Sequence, residues 1–543
     1  MTLVSQPVSS GPVSSEPVSS GPVSAEPIAF TPTRRRPVHG VTERGPDLLP
    51  LQAGEQYRFS FAMDACVGCH SCEVACAEQN DTPVDQAWRR VGELEGGSFP
   101  DTRRFSLSMA CNHCVEPTCL SGCPSSAYEK LGNGIVVHHP DDCIGCQYCI
   151  WNCPYEVPVF NPVNKIVSKC DMCRPRIDEG QSPACVLACP THAIGVEKVD
   201  VAAWRGDHAS ADAPGLPPAD ITLSTTRISR PDDVPADTRP ANEHRVRRED
   251  PHWPLVVLTL LTQLSLGTVA TTVALEVGGA GATFSRAEGR GLAGPAVGAF
   301  LAGLVALTAS LLHLGRPSRA LKALRNLRTS WLSREVAAFS AFSLLSCGYA
   351  AAWALGGAEG RAPTLALGVA AVLVGVAGVY ASARLYLVPA RPVWNSRRTP
   401  VAFFATAMST GPLVALLSLD RSTMRPEWIA ALIVVAATGT VAQMAVQARL
   451  YAVVRRRPDQ QHRGTAALLD GELHSLFRGR IAAALIGLGL LISATTVPLG
   501  RAAAGGRLGV ALVVVAVGEL AGRYLFYVSV VPYRMADGFF GSR

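Results

Sequence analysis

Outside one short stretch the chain has almost no cysteine. Sixteen of its seventeen cysteines lie between Cys66 and Cys189, and Cys347 stands alone. That distribution, in tight CxxC steps, excludes a disulfide framework spread through the fold. Net charge is also small, +6 over 543 residues with arginine scattered throughout, which excludes a nucleic-acid-binding role. The first fifty residues lack a long apolar run. They carry the repeat PVSSG, PVSSE, PVSSG, PVSAE and then Arg34, Arg35 and Arg36, with no apolar segment behind the arginines. Residues 1–50 therefore read as a disordered Pro/Ser-rich segment without a cleavable export signal.

The cysteines form four motifs. The first is Cys66, Cys69, Cys72 and Cys76; the second is Cys111, Cys114, Cys119 and Cys123, followed by Pro124. The third is Cys143, Cys146, Cys149 and Cys153, followed by Pro154; the fourth is Cys170, Cys173, Cys185 and Cys189, followed by Pro190. Three thiolates on one compact loop suit three irons of a cubane. The next cysteine, on a helix leading away, suits the other cluster of a pair. A structural zinc site would instead draw four ligands from two separated pairs. The expectation is four [4Fe–4S] centres bound through all sixteen cysteines, although spacing alone leaves open which motifs are partners. Such clusters need reduced thiols, so this part is expected to be made and folded in the cytoplasm.

Beyond His252 the chain is a series of apolar runs, at about 253–276, 292–314, 334–356, 363–387, 401–419, 427–451, 479–499 and 508–531. Each approaches or exceeds the ~20 residues that cross a bilayer as a helix. The expected architecture is an α+β ferredoxin-like domain with four [4Fe–4S] clusters, joined to an all-α eight-helix transmembrane bundle. Residues 51–200 form the first part, 201–250 an extended tail and linker with a strand at Ile221–Ile228, and 251–535 the anchor. An even number of spans places the cluster domain and the C-terminus on one side. The gaps on that side hold most of the cations, among them Arg316, Arg319, Lys322, Arg325 and the Arg455–Arg457 run. The positive-inside rule then puts the clusters on the cytoplasmic face of the inner membrane. An anionic ligand or partner docked on these arginines would produce part of the same bias.

Membrane haem needs histidine pairs deep within helices. The histidines after residue 250 are His252, His313, His462 and His474, all at span ends or in gaps, so no haem is expected. Quinone would then exchange electrons directly with the nearest cluster. The segment LLHLGRPSRALKALRNL is the candidate site, with His313 as proton acceptor, Glu335 as a second proton carrier and Arg319 orienting a quinone oxygen. Glu519 and Arg523, one turn apart, read as an intramembrane ion pair locking helices. Cys347 reads as a small core hydrophobe with no role.

CNHCVEPTCLSGCP, CIGCQYCIWNCPY and CDMCRPRIDEGQSPACVLACP resemble the iron–sulfur subunit of dimethyl sulfoxide reductase-type molybdoenzymes, over about residues 57–235. The His313-Leu314-Gly315-x-Pro317-x-Arg319-Ala320, Leu332-Ser333-x-Glu335 and Gly518-Glu519-Leu520-x-Gly522-Arg523 motifs resemble the eight-span anchor subunit of the same enzymes. The resemblance implies that Cys66, Cys69 and Cys72 join Cys189, and that Cys170, Cys173 and Cys185 join Cys76. It likewise implies that Cys111, Cys114 and Cys119 join Cys153, and that Cys143, Cys146 and Cys149 join Cys123. It places His313 in a menaquinol site. The chain has no recognisable molybdopterin-binding part, so the expected partner is a separate molybdopterin-containing catalytic subunit, with the membrane and its quinone pool as the other. The alternatives are a relay serving a hydrogenase, or a formate or sulfur-compound dehydrogenase feeding electrons into quinone.

Overall fold

A computed structural model describes residues 51–83, 86–278, 291–355, 361–420, 424–496 and 501–535. The N-terminal repeat and the arginine triplet lie outside the described residues. The cysteine-bearing part is built on two small sheets. β1 (Glu55–Ala62) pairs antiparallel with β8 (Ile194–Asp200) and parallel with β9 (Arg227–Ser229), while β2 (Arg90–Gly96) lies between β3 (Arg103–Met109) and β10 (Arg239–Pro240). Two hairpins, β4 (Tyr128–Lys130) with β5 (Val136–His138) and β6 (Val159–Asn161) with β7 (Ile166–Ser168), carry the middle cysteine loops. Alternate residues of β1 and β3 bury Phe59, Phe61, Leu107 and Met109 against the sulfurs of Cys72, Cys111, Cys170 and Cys185, so the sulfurs are part of the core.

Short helices follow the cysteine loops: α1 (Ser71–Asn80), α2 (Thr118–Gly122), α3 (Tyr148–Asn152), α4 (Arg174–Asp178) and α5 (Ala184–Leu187). In all four motifs the helix begins one residue before the third cysteine rather than at the fourth. Cys123 and Cys153 stand at the C-terminal caps of α2 and α3, one turn further along the chain.

The tail is not extended throughout. It opens with α6 (Val201–Asp207), which buries Trp204, and the expected strand at Ile221–Ile228 shrinks to Arg227–Ser229. The cause lies in its threonines, which serve a cysteine loop instead of a sheet. Thr225 and Thr226 donate to the carbonyl and side chain of Asn112, and Thr222 donates to Cys114 Sγ at 3.1 Å.

All eight apolar runs are helices: α7 (Trp253–Val277), α8 (Ala293–Leu312), α9 (Trp331–Leu355), α10 (Arg361–Leu385), α11 (Arg398–Ser418), α12 (Pro426–Arg456), α14 (His474–Thr496) and α15 (Arg501–Val528), with the short α13 (Gln460–Asp470) between the sixth and seventh. Their ends depart from the hydropathy boundaries by up to seven residues, because arginine is a good helix former and extends a helix beyond the apolar stretch. α7 and α11 sit at the centre and cross tightly at Gly267 and Gly411. A Cβ on Gly411 would lie 2.1 Å from the Gly267 carbonyl carbon.

Glu519 and Arg523 do not form a direct ion pair. Thr406 stands between them, donating to Glu519 Oε2 at 2.7 Å and accepting from Arg523 Nη2 at 3.1 Å. Gln443 and Gln263 complete the network. Hydrogen bonding through a neutral hydroxyl and two amides satisfies both ions while holding four helices together. Cys347 is exposed on α9, on a bundle surface rather than in the core.

Candidate functional site: four sulfur groups and a cavity at the bundle

The four CxxC loops share one backbone device. The residue before the second cysteine has positive φ in every motif: Gly68 (66°), His113 (44°), Gly145 (70°) and Met172 (62°). This left-handed step turns backbone N–H groups towards sulfur. Gly145 donates to Cys143 Sγ and Met172 to Cys170 Sγ, each at 3.4 Å, the geometry that stabilises an ionised thiolate.

Most electrostatic neighbours of the thiols fall into four groups, but Cys72 faces Cys185 and Cys170 also faces Cys111, so the groups adjoin. Cys66 lies with Cys69 and Cys189. Cys76 lies with Cys173 and Cys185, and Cys170 with Cys76 and Cys185. Cys114 and Cys119 lie with Cys111 and Cys153; Cys146 and Cys149 lie with Cys123 and Cys143. Burial pushes the Cys76 and Cys114 thiols up to about 12 and Cys153 up to about 11. Without a metal these groups keep their protons, so metal assembly must release them.

Two buried cations stand among the sulfurs. Arg89 is 2% exposed, and its Nε and Nη2 have no hydrogen-bond partner. Burial opposes its charge, but Cys185, Cys72, Cys170 and Cys76, once ionised, outweigh that and raise its pKa. Lys169 is likewise buried beside Cys111, Cys119 and Cys170. Fixed cations facing thiolate sets suit a cofactor of net negative charge. Unpaired guanidinium donors inside a core are otherwise costly. The donor set therefore fits iron–sulfur clusters.

The set containing Cys143, Cys146, Cys149 and Cys123 meets the bundle. Gly315 N donates to the Gly145 carbonyl at 3.3 Å and Arg316 N to the Ile144 carbonyl at 3.0 Å. Asn326 Nδ2 reaches the Cys123 carbonyl at 2.9 Å, and Tyr148 Oη donates to the Leu385 carbonyl at 2.8 Å. Lys322 and Arg325 bind the Asp142 carboxylate at 2.8 and 2.6 Å; they hold that carboxyl below its ordinary range. Arg316 donates to the Pro140 carbonyl and Arg319 to that of Asp141. The cation-rich gap after α8 is thus a dock for the cysteine domain, and this accounts for part of the arginine bias.

Beneath that dock is a cavity of ≈ 810 Å³, open mouth included, between Cys146, Tyr148 and Trp151 on one wall and His313, Glu335 and Tyr386 on the others. His313 and Glu335, twenty-two positions apart, come together because the loop 314–330 folds back and returns the chain as α9. Glu335 is 4% exposed and its Oε1 has no hydrogen-bond partner. Burial lowers the His313 pKa to about 4, against a hydrogen bond with the Cys146 backbone that raises it. Burial therefore favours the neutral ring. Arg319 does not line this cavity. It sits at the surface facing Asp141, because its place in the loop turns it towards the cysteine domain.

Sequence reading missed an aromatic cluster around Trp151, which lies between Cys149 and Cys153. Its ring is 5.1 Å from His252, 6.4 Å from His313, 5.3 Å from Trp394 and 6.0 Å from Tyr386. His252 in turn packs edge-on to His313 at 5.3 Å, and the Tyr386 and Tyr527 hydroxyls meet at 2.5 Å. The only sequence signal was a tryptophan placed where a cysteine helix had no need of one.

Residues 103–199 match the family model of a 4Fe-4S dicluster domain, and residues 249–528 match that of the DMSO reductase anchor subunit. Over 177 residues the sequence is 36% identical to one subunit of the anaerobic dimethyl sulfoxide reductase of Haemophilus influenzae, a stretch covering 31% of this chain and 86% of that relative. The chain therefore belongs to the dimethyl sulfoxide reductase family, as an iron–sulfur part fused to an anchor part. The same subunit of the Escherichia coli enzyme is 37% identical over 175 residues (31% of this chain, 85% of the relative). A subunit of the sulfite dehydrogenase of Allochromatium vinosum is 36% identical over 153 residues (24% of this chain, 64% of the relative). Within this family the cysteine domain is an electron-transfer module, and the eight helices are its membrane anchor.

Proposed function

We propose that the chain oxidises menaquinol in the cavity between His313 and Glu335 and passes the electrons through four [4Fe–4S] clusters to a separate molybdopterin-containing subunit. One observation carries the reading: the cavity that holds the proton acceptors has Cys146 in its wall. Quinol releases two electrons and two protons. The clusters, bound through the sixteen cysteines of the four motifs, would supply one-electron acceptors. His313 takes a proton at its imidazole and Glu335 one at its unpartnered carboxylate oxygen, while Leu307, Leu311 and Phe339 exclude water. Haem is not required, since His252 and His313 lie at the cluster-side helix ends. Purified with its partner, the complex should contain molybdenum and about sixteen irons per chain, four per cluster. Iron well below that count, or a nickel or flavin partner, sinks the proposal.

The likeness to a sulfite dehydrogenase subunit supports a second reading, in which electrons run from the partner into quinone. We further infer that the clusters face the cytoplasm. With the four docking cations set aside, the Arg455–Arg457 run remains, and no gap on the far side has its counterpart. A fluorescent protein fused after Arg543 should then fluoresce; a dark fusion that is protected from protease only in intact cells means the opposite side.

Thr222 tunes one cluster in this scheme. Its hydroxyl hydrogen bond to Cys114 Sγ stabilises added negative charge. Thr222→Val should lower that cluster's midpoint potential by roughly 20–60 mV, the one-electron equivalent of one modest hydrogen bond. An unchanged potential in a redox titration followed by electron paramagnetic resonance contradicts the assignment.

A further inference from the structure

A second cavity, of ≈ 1250 Å³ with its open mouth, lies between α12, α14 and α15, apart from the quinol cavity. Tyr451, His474 and Arg478 stand at its cluster-side mouth; Ala484, Val515 and Thr440 line its depth. Arg480, six residues into α14, lies ~9 Å from the helix start at 1.5 Å per residue. Its guanidinium donates to Gln447 Oε1 and, at 3.1 Å, to Gln443 Oε1.

The charge around this cavity does not balance. Arg480 and Arg523 face one carboxylate, Glu519, which is already taken up by Thr406 and by Gln443 at 3.0 Å. An uncompensated cation this far inside a bilayer is costly. Two further polar atoms on the cavity wall lack partners. Gln447 is 5% exposed and its Nε2 donates to nothing; the Nδ1 of His474 is also unpaired. A cation with a free amide donor below a basic, aromatic mouth suits a phosphate diester. The apolar channel running on towards the membrane centre suits acyl chains in the orientation of a bilayer lipid.

We propose that this cavity is a binding site for one anionic phospholipid, its phosphate held by Arg480, Gln447 and His474 and its tails lying along Ile481, Ala484 and Val515. The lipid neutralises the excess arginine and fills the gap between α12 and α14.

Native mass spectrometry of the full chain in neutral detergent tests this, with phosphatidylglycerol and phosphatidylcholine as probes. One phosphatidylglycerol should be retained about tenfold more tightly than phosphatidylcholine, the equivalent of about 1.4 kcal/mol. Arg480→Gln and, independently, the apolar filler Ala484→Phe should each lower its retention about tenfold; the second leaves every charge in place. Equal retention of the two lipids overturns the proposal, as does unchanged phosphatidylglycerol binding in both variants. Displacement of the lipid by a menaquinone analogue also overturns it, since the cavity would then be a quinone site.

Discussion

His313→Ala should abolish reduction of the clusters by menaquinol while leaving iron content and chemical reduction by dithionite unchanged. The imidazole is the neutral base of the cavity, held by the Cys146 backbone and packed against Trp151 and His252. Removing a positioned general base costs typically 10²–10⁴-fold, and this one also forms part of the cavity wall, so the upper end is expected. Glu335→Gln should lose less, because an amide preserves shape and removes only the second proton acceptor. Stopped-flow reduction by a soluble menaquinol analogue separates the two. Quinol kinetics within a factor of two of the parent in His313→Ala would place quinol elsewhere. Loss of iron would instead show the residue to be structural.

Gly315→Val should uncouple the two halves of the chain. The backbones of Gly315 and Gly145 meet at the dock, and a Cβ on Gly315 would lie 2.1 Å from the Lys165 carbonyl oxygen. Backbone on both sides leaves nothing flexible to give, so the cysteine domain must back away from the loop after α8. A displacement of ~1 Å at a reacting site costs on the order of 10²-fold; a comparable loss of quinol-to-cluster rate is expected with cluster content retained. The replacement preserves every charge, which separates it from variants of Lys322 or Arg325. Wild-type electron transfer in Gly315→Val would show that the dock is dispensable.

Much of this was legible in the sequence, for physical reasons. Thiolate sets need cysteines at fixed steps, and a bilayer needs long apolar helices, so both leave patterns along the chain. His313 and Glu335 were legible because histidine and glutamate are few beside the arginines at the span ends. What escaped were the features made by contact between distant segments. Arg319 was read as a quinone ligand, yet the loop turns it to Asp141, since a charge pattern does not say which side of a loop faces inward. Glu519 and Arg523 have ion-pair spacing, but Thr406 of another helix intervenes. The threonines of residues 222–226 have strand composition and bind a cysteine loop. Trp151 carries no pattern at all; its meaning lies in the five aromatic rings of the dock around it.

Direct delivery of electrons from quinol to the sulfur group at the bundle can be followed in the isolated full chain, without any catalytic partner, by mixing it with a menaquinol analogue in a rapid freeze-quench experiment. The signal of the cluster on Cys143, Cys146, Cys149 and Cys123, identified by its loss in Cys146→Ser, should appear first, with no haem absorbance at any time. Earlier reduction of the group on Cys66, Cys69, Cys72 and Cys189, or electrons appearing first on a haem, would show that quinol does not feed the cluster at the bundle.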